Sequence, residues 1–234
     1  MKPQFERTAL ILGNDSIQKL QQSHVIIFGL GGVGGYVCEA LVRAGVGEIS
    51  LVDDDDVNES NINRQIIALH STIGKAKVDV AAERAMDINP EIKIHRHKCF
   101  YLPENSSDFD FSKYDYIVDC IDTVTAKISM IENAARAGKA DKIITCLGTG
   151  NKINPMGFKV AAVEKTKVCP LARVMRQELK KRNIKGIKCV YSEELPFNVV
   201  ASSENGRHAP GSVSFVPGAA GLLIAAEVIK DLTK

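Results

Sequence analysis

The chain has 234 residues, 45% of them hydrophobic and 25% charged, with 18 Gly and no Trp. That balance excludes disordered, collagen-like and low-complexity chains and fits one large domain, or a domain plus an appendage, that buries roughly 70–75% of its unfolded surface. A formal net charge of +2 argues against a protein that grips polyanions over its whole surface. Residues 1–7 are polar and charged, unlike a signal peptide, so a cytoplasmic protein is expected. Residues 25–28 are a short apolar run ending at a glycine cluster, as in a buried parallel strand. Helical spacing follows over 33–44 and closes at Gly45 and Gly47, and 48–52 is a second strand ending in acids. A helix over 74–88 stops at Asn89-Pro90, strands are predicted at 92–95 and 114–119, a helix at 125–137 and a strand at 142–146. This alternation predicts a right-handed βαβ array, hence an α/β fold with a Rossmann-like, doubly wound, mostly parallel sheet over residues 1–150.

Past residue 150 the pattern changes. Strands are expected at 157–163 and 189–191, a basic helix at 170–182, and a long, turn-rich mobile loop at 197–211. Residues 212–215 read as a last strand, and Pro217 opens a strongly apolar helix over 218–229. That helix is too short to favour a membrane span and suits the core or a dimer contact. Residues 151–234 thus form a C-terminal, mixed-sheet, substrate-side portion continuous with the first.

The six cysteines, Cys38, Cys99, Cys120, Cys146, Cys169 and Cys189, form no Cys-x-x-Cys pair. Neither a zinc knuckle nor a dithiol redox pair is written here, and several lie in apolar runs, as buried thiols do. The net charge hides an asymmetry. Residues 1–150 carry 16 Lys/Arg against 21 Asp/Glu, and residues 151–234 carry 14 against 7. Residues 165–188 hold nine basic residues and one acid, Glu178. Such a segment is either a solvated helix face or a patch that meets phosphates.

The chemistry concentrates after the first strand. Gly29-Leu30-Gly31-Gly32-Val33-Gly34 opens a helix whose N–H groups face a phosphate, and Asp53 ends the second strand where ribose hydroxyls are read. These residues alone suit NAD as readily as ATP, and a nicotinamide oxidoreductase or redox sensor is one alternative. Arg64 and Lys77 tip the balance, because an expelled pyrophosphate needs cations beside the glycine turn. Asp122 follows the fourth strand at the ligand-binding edge, and a carboxylate beside phosphates reads as a magnesium ligand.

Gly-x-Gly-Gly-x-Gly, Asp53-x-Asp55-x-Val57, Ser60-Asn61-x-x-Arg64-Gln65 and Asp122 resemble the adenylating enzymes related to ThiF, MoeB and the ubiquitin-activating enzymes. The resemblance implies ATP on the glycine turn and Asp53, assisted by Asp55. It implies phosphate contacts from Asn61, Arg64, Gln65 and Lys77, and Mg2+ on Asp122. Arg7 resembles an N-terminal arginine that reaches the neighbouring subunit's ATP, which implies a homodimer. It leaves open whether a monovalent cation joins the site.

Activators of ubiquitin-like sulfur carriers, the second alternative, usually show two Cys-x-x-Cys pairs, and thioester-forming members add a cysteine before the final helix. Here neither occurs, and nothing after Cys189 offers a thiol. Residues 148–155, Pro170-Leu-Ala-Arg173 and Val190-Tyr-Ser-Glu193 resemble instead the tRNA threonylcarbamoyladenosine dehydratase branch. That resemblance implies a threonylcarbamoyl-modified tRNA as substrate, adenylation of its carboxylate, and intramolecular cyclisation that needs no enzyme nucleophile. A cysteine desulfurase with its sulfur acceptor is an implied partner. Arg173, Arg176, Lys180, Lys181 and Arg182 then become the expected RNA contacts. Cys169 stands where the branch usually has an acid and is read as a small packing residue.

Overall fold

The structure, a computed structural model, describes residues 2–197 and 210–234 and, between them, 203–204 and 207–208. A seven-stranded sheet runs in the order β3-β2-β1-β4-β5-β7-β6. Its strands are β1 (His24–Phe28), β2 (Glu48–Val52), β3 (Lys93–His97), β4 (Tyr116–Asp119), β5 (Ile143–Cys146), β6 (Phe158–Ala162) and β7 (Lys188–Ser192). All neighbours pair in parallel except β6, which runs antiparallel along β7 at the edge. The second half of the chain therefore extends the same sheet.

Strand β1 shows why both faces must be covered. Val25 and Ile27 belong to one core, Ile26 and Phe28 to the other, and all four are fully buried. The first core lies under α1 (Pro3–Leu12), α2 (Asn14–Gln22), α3 (Gly34–Ala44), α4 (Lys77–Ile88) and α7 (Val216–Thr233). The second lies under α5 (Val124–Arg136), α6 (Pro170–Lys181) and the turns carrying Tyr101, Phe109 and Phe111.

Three differences from the expected elements have local causes. Helices α1 and α2 were not anticipated, because their stripes are thin: each buries only two side chains, Phe5 with Ala9 and Ile17 with Leu20. Residues 212–215 form no strand. The Ser212 carbonyl accepts a hydrogen bond from Asn63, and Phe215 is half exposed at the start of α7. The expected loop over 197–211 falls largely outside the described residues; within it Ser203–Glu204 (β8) and Arg207–His208 (β9) pair antiparallel. Asn151 ties its ends, accepting from Phe197 N through its backbone carbonyl and from Gly211 N through its side chain.

Helix α7 is packed within the fold. Gly221 lies so close to α3 that a Cβ there would sit 2.5 Å from the Val33 carbonyl oxygen. Among the described residues no helix is long and apolar enough to cross a membrane. The far end of α7 is held by charge. Asp231 accepts from Lys188 on β7, from the Tyr116 hydroxyl on β4 and from Lys234. Partial burial pushes the Asp231 carboxyl up, but these three donors outweigh it and hold it down to about 2. Its depressed pKa adds stability that is present above the unfolded value of about 3.9 and lost as pH falls toward the folded one. Asp231→Asn should therefore lower stability at neutral pH and flatten the acid limb between about pH 4 and about pH 2, read by urea unfolding across that window.

Candidate active site

Parallel register places Phe28 beside Val52 and Asp119. The chain therefore leaves β1, β2 and β4 at one level, and the segments that follow surround a cavity of about 510 Å³. Gly29, Gly31, Gly32, Asp53, Asp55, Asn61, Arg64, Gln65, Lys77 and Asp122 all line it. Two of the expected residues do not. Gly34 lies behind the turn, where a Cβ would fall 1.8 Å from the Gly29 carbonyl oxygen, so its role is to let α3 start against β1. Arg7 is exposed on α1 and lines no part of its own chain's cavity.

The glycine turn is shaped by contact as much as by torsion. Gly29 has φ of 88°, and a Cβ there would meet the Cys120 carbonyl oxygen at 2.9 Å. Asp53 braces the same turn: its Oδ2 accepts from Leu30 N at 2.6 Å and its Oδ1 from Asp55 N at 3.0 Å. Burial raises the Asp53 carboxyl, and Lys77 with the two backbone donors counters part of that rise. The bracing role was not legible in the motif, which offered Asp53 only to ribose.

Lys77 opens α4 as a buried cation, with Nζ 2.6 Å from Asp55 Oδ2 and 3.8 Å from Asp53 Oδ1. Arg64 meets no carboxylate among the described residues; its guanidinium donates to the Ser60 carbonyl and to Asn63 Oδ1. Asn61 uses its Oδ1 to cap its own turn at Asn58 N. Gln65 is buried at 6% exposure, yet its Oε1 has no partner among the described residues. Turning the amide over would exchange this acceptor for an N–H donor, so either way a buried Gln65 atom beside the cavity is without a partner among the described residues. Asp122 is exposed at the rim, and among the described residues its carboxylate accepts one hydrogen bond, from the Thr123 hydroxyl at 3.4 Å. It stands across β1 from Asp53, Asp54 and Asp55, whose carboxylates lie within 4.8 Å of one another.

Sequence reasoning missed the apolar wall. Phe28, Val52, Phe100, Tyr101 and Ile121 line the cavity with Cys99 and Cys120. Residues 99–101 come from the turn after β3, which carries no motif, and only topology brings them here. It also missed the support beneath Asp122. At the end of β4, Asp119 is fully buried and takes Lys127 Nζ at 3.0 Å on both oxygens. The same ammonium donates to the Thr145 hydroxyl and to the Cys146 carbonyl. Asp119 also accepts from Ile121 N, one residue before Asp122.

Burial raises the two thiols that line the cavity, Cys99 and Cys120, and so disfavours their thiolate forms. All six cysteines are free. Burial pushes Cys38 and Cys189 up to about 12 and Cys146 up to about 11, so these remain protonated at neutral pH. Cys169 is buried and donates to the Leu147 carbonyl.

The basic helix separates into two sets. Arg176 donates to the Thr166 carbonyl and hydroxyl, Lys181 pairs with Glu178, and Arg182 bridges Glu132 and Glu178. Arg173 and Lys180 are exposed and make no ion pair among the described residues.

Because Asp119 and Lys127 share a dry interior, Lys127→Met should lower stability by about 3–5 kcal/mol by leaving a buried carboxylate unpaired. Urea unfolding checks this, and the Asp119→Asn, Lys127→Met double variant should recover part of the loss.

Comparison with known proteins gives this arrangement a context. The ThiF family model matches residues 5–234. A tRNA threonylcarbamoyladenosine dehydratase of Bacillus subtilis is 38% identical over 246 residues, spanning all of this chain and 96% of that one. The enzyme of that name from Escherichia coli is 37% identical over 201 residues, covering 82% of this chain and 74% of its own. A crystal structure of the Escherichia coli dehydratase in complex with ATP superposes with a TM-score of 0.88 at 33% identity, covering 98% of this chain and 93% of that one. The glycine turn braced by Asp53, the buried Lys77 and the rim carboxylate thus sit in a chain that belongs to the ThiF family.

Proposed function

We propose that the chain uses ATP to adenylate the threonine carboxylate of N6-threonylcarbamoyladenosine in tRNA, so that it cyclises with net loss of water. The observation that carries this reading is the gathering of Arg64, Gln65, Lys77 and Asp122 with the glycine turn on one cavity. The full-length similarity to dehydratases of that name supports the choice of substrate.

ATP fits the cavity by its chemistry. Gly31 and Gly32 let the triphosphate approach the backbone at the start of α3, and Arg64, Lys77, Asn61 and the open Gln65 atom neutralise or bond it. Asp53, already bracing the turn, keeps lone pairs for ribose hydroxyls. The wall of Phe28, Phe100 and Tyr101 suits the base. Asp122, an exposed carboxylate with no cation beside it among the described residues, is the residue to hold Mg2+. The ion supplies charge neutralisation between phosphates, and the protein's part is to hold the carboxylate at the rim.

The substrate carboxylate oxygen attacks the α-phosphorus and pyrophosphate departs, leaving an acyl-adenylate. The carbamoyl group of the same nucleoside then attacks the acyl carbon, the bond from that carbon to the phosphate oxygen breaks, AMP leaves, and the carbamoyl N–H proton passes to solvent. Both ends of the second step lie on one molecule, so proximity does the work that a thiol does elsewhere. The protonated, buried cysteines agree with this.

Residues 1–150 supply adenylation and residues 151–234 the tRNA side in this reading. Arg173 and Lys180 are the phosphate contacts, and Arg176, Lys181 and Arg182 first serve the fold. Arg7 reaches the ATP of a second copy; the exposed Leu10 and Ile11 on its helix support a subunit contact there. A cytoplasmic location follows from the tRNA substrate. A monovalent cation and a cysteine desulfurase with its sulfur acceptor rest on the family resemblance alone.

With ATP, Mg2+ and tRNA bearing the threonylcarbamoyl group, AMP should form and the nucleoside should lose one water, read by mass spectrometry. Asp122→Ala should abolish both while the circular dichroism spectrum stays that of the parent. AMP formation that requires a carrier protein ending in Gly-Gly would overturn the assignment. Replacing Arg173 and Lys180 with alanine should weaken tRNA binding and reduce the slope of log K against log salt by about one unit per residue.

A further inference from the structure

At the amino ends of β1 and β2 and the middle of β3, away from the nucleotide cavity, three side chains converge. Glu48 begins β2, with Oε1 2.7 Å from His95 Nε2 on β3 and 3.5 Å from His24 Nδ1 at the start of β1. One ligand atom from each lies within 4.8 Å of the other two. The imidazoles of His24 and His95 are 5.3 Å apart at 36°. None of the three lines the cavity described above.

We propose that His24 Nδ1, His95 Nε2 and Glu48 Oε1 form a binding site for a divalent cation of the zinc class, with water in its remaining position. Bonds of about 2.0–2.2 Å around a tetrahedral ion put neighbouring ligand atoms roughly 3.3–3.5 Å apart. The two separations at Glu48 Oε1, 2.7 and 3.5 Å, bracket that spacing. Two imidazoles and one carboxylate suit zinc and its transition-metal neighbours over Mg2+ or Ca2+, which prefer all-oxygen sets.

A further observation supports the site. The second ring nitrogen of His24, Nε2, is 2.9 Å from the buried Ser50 hydroxyl, the outer hydrogen bond that orients a ligating imidazole. Tyr114 packs edge-on against that ring at 4.8 Å. Asp115 accepts from His24 N at 2.8 Å and adds negative charge, while Lys93 stands 4.0 Å from the other Glu48 oxygen. Side-chain exposures of 19% for His24, 30% for Glu48 and 49% for His95 leave an entry path. A bound ion would join β1, β2 and β3 at the end remote from the active site.

The test is titration of the full chain with Zn2+, and with Co2+ as a spectroscopic probe, in excess Mg2+. One equivalent should bind and raise the unfolding temperature, and the cobalt spectrum should lack thiolate charge transfer. His95→Gln and Glu48→Gln should each lose that equivalent, and Ser50→Ala should weaken it about 10–100-fold. His95→Gln should leave ATP-dependent AMP formation unchanged, which separates this site from the proposed activity. Absence of zinc binding by the parent, or an equivalent retained at parental affinity in both ligand variants, would overturn the proposal.

Discussion

Phe28 pairs with Val52 on one side and Asp119 on the other, and this shared register is the constraint that the active site depends on. Three parallel strands end level, so the glycine turn, the Asp53–Asp56 acids and the Asp122 loop all begin at one edge. A shift of β2 by one residue would turn its side chains over and take Val52 out of the second core. The apolar residues that make the strands insoluble alone are therefore the ones that align the polar residues beyond them.

Charge placement follows the same economy. Lys127 and Asp119 neutralise each other in full burial beneath the rim, and that pair anchors the backbone just before Asp122. Lys77 lies between Asp53 and Asp55, so this cation of the cavity already has partners of its own. A triphosphate entering the cavity would compete with Asp55, which is 62% exposed and free to turn toward water. Asp53 is held by two backbone donors and would stay. One carboxylate is built to yield and the other to hold.

The parallel sheet was legible because its strands are short apolar runs that end in glycine or acid, and the helices between them carry strong stripes. The motif residues were legible because close backbone approach and phosphate neutralisation each demand particular residue types. What could not be read depends on contacts remote in sequence. Phe100 and Tyr101 reach the cavity only because β3 is the outer neighbour of β2. Gly34 looked like a phosphate residue, but its missing side chain serves the Gly29 carbonyl. Residues 212–215 alternate like a strand, and their backbone is instead taken by Asn63 and the start of α7. His24, Glu48 and His95 stand 24 and 47 residues apart in the chain and form no sequence pattern; parallel pairing alone makes them neighbours.

A net charge of +2 argues against a protein that is basic all over, and the fold shows how the sum hides its asymmetry. The acids of residues 1–150 include those at the carboxyl edge, where they brace the turn and hold the lysine. The basic excess of residues 165–188 is itself divided. Arg176, Arg182 and Lys188 are tied to Thr166, Glu132, Glu178, Glu227 and Asp231, fastening α6 and β7 to α5 and α7. Exposed ion pairs of this kind are worth about 0–1 kcal/mol each, so those at the surface exchange partners readily, and Lys188, partly buried against α7, does not. Arg173 and Lys180 on α6, with Lys165, Lys167 and Lys185 beside it, are exposed and make no ion pair among the described residues, whereas Lys181 and Arg182 share Glu178. The count of lysines and arginines overstates the patch, and the distribution of their partners gives its working size.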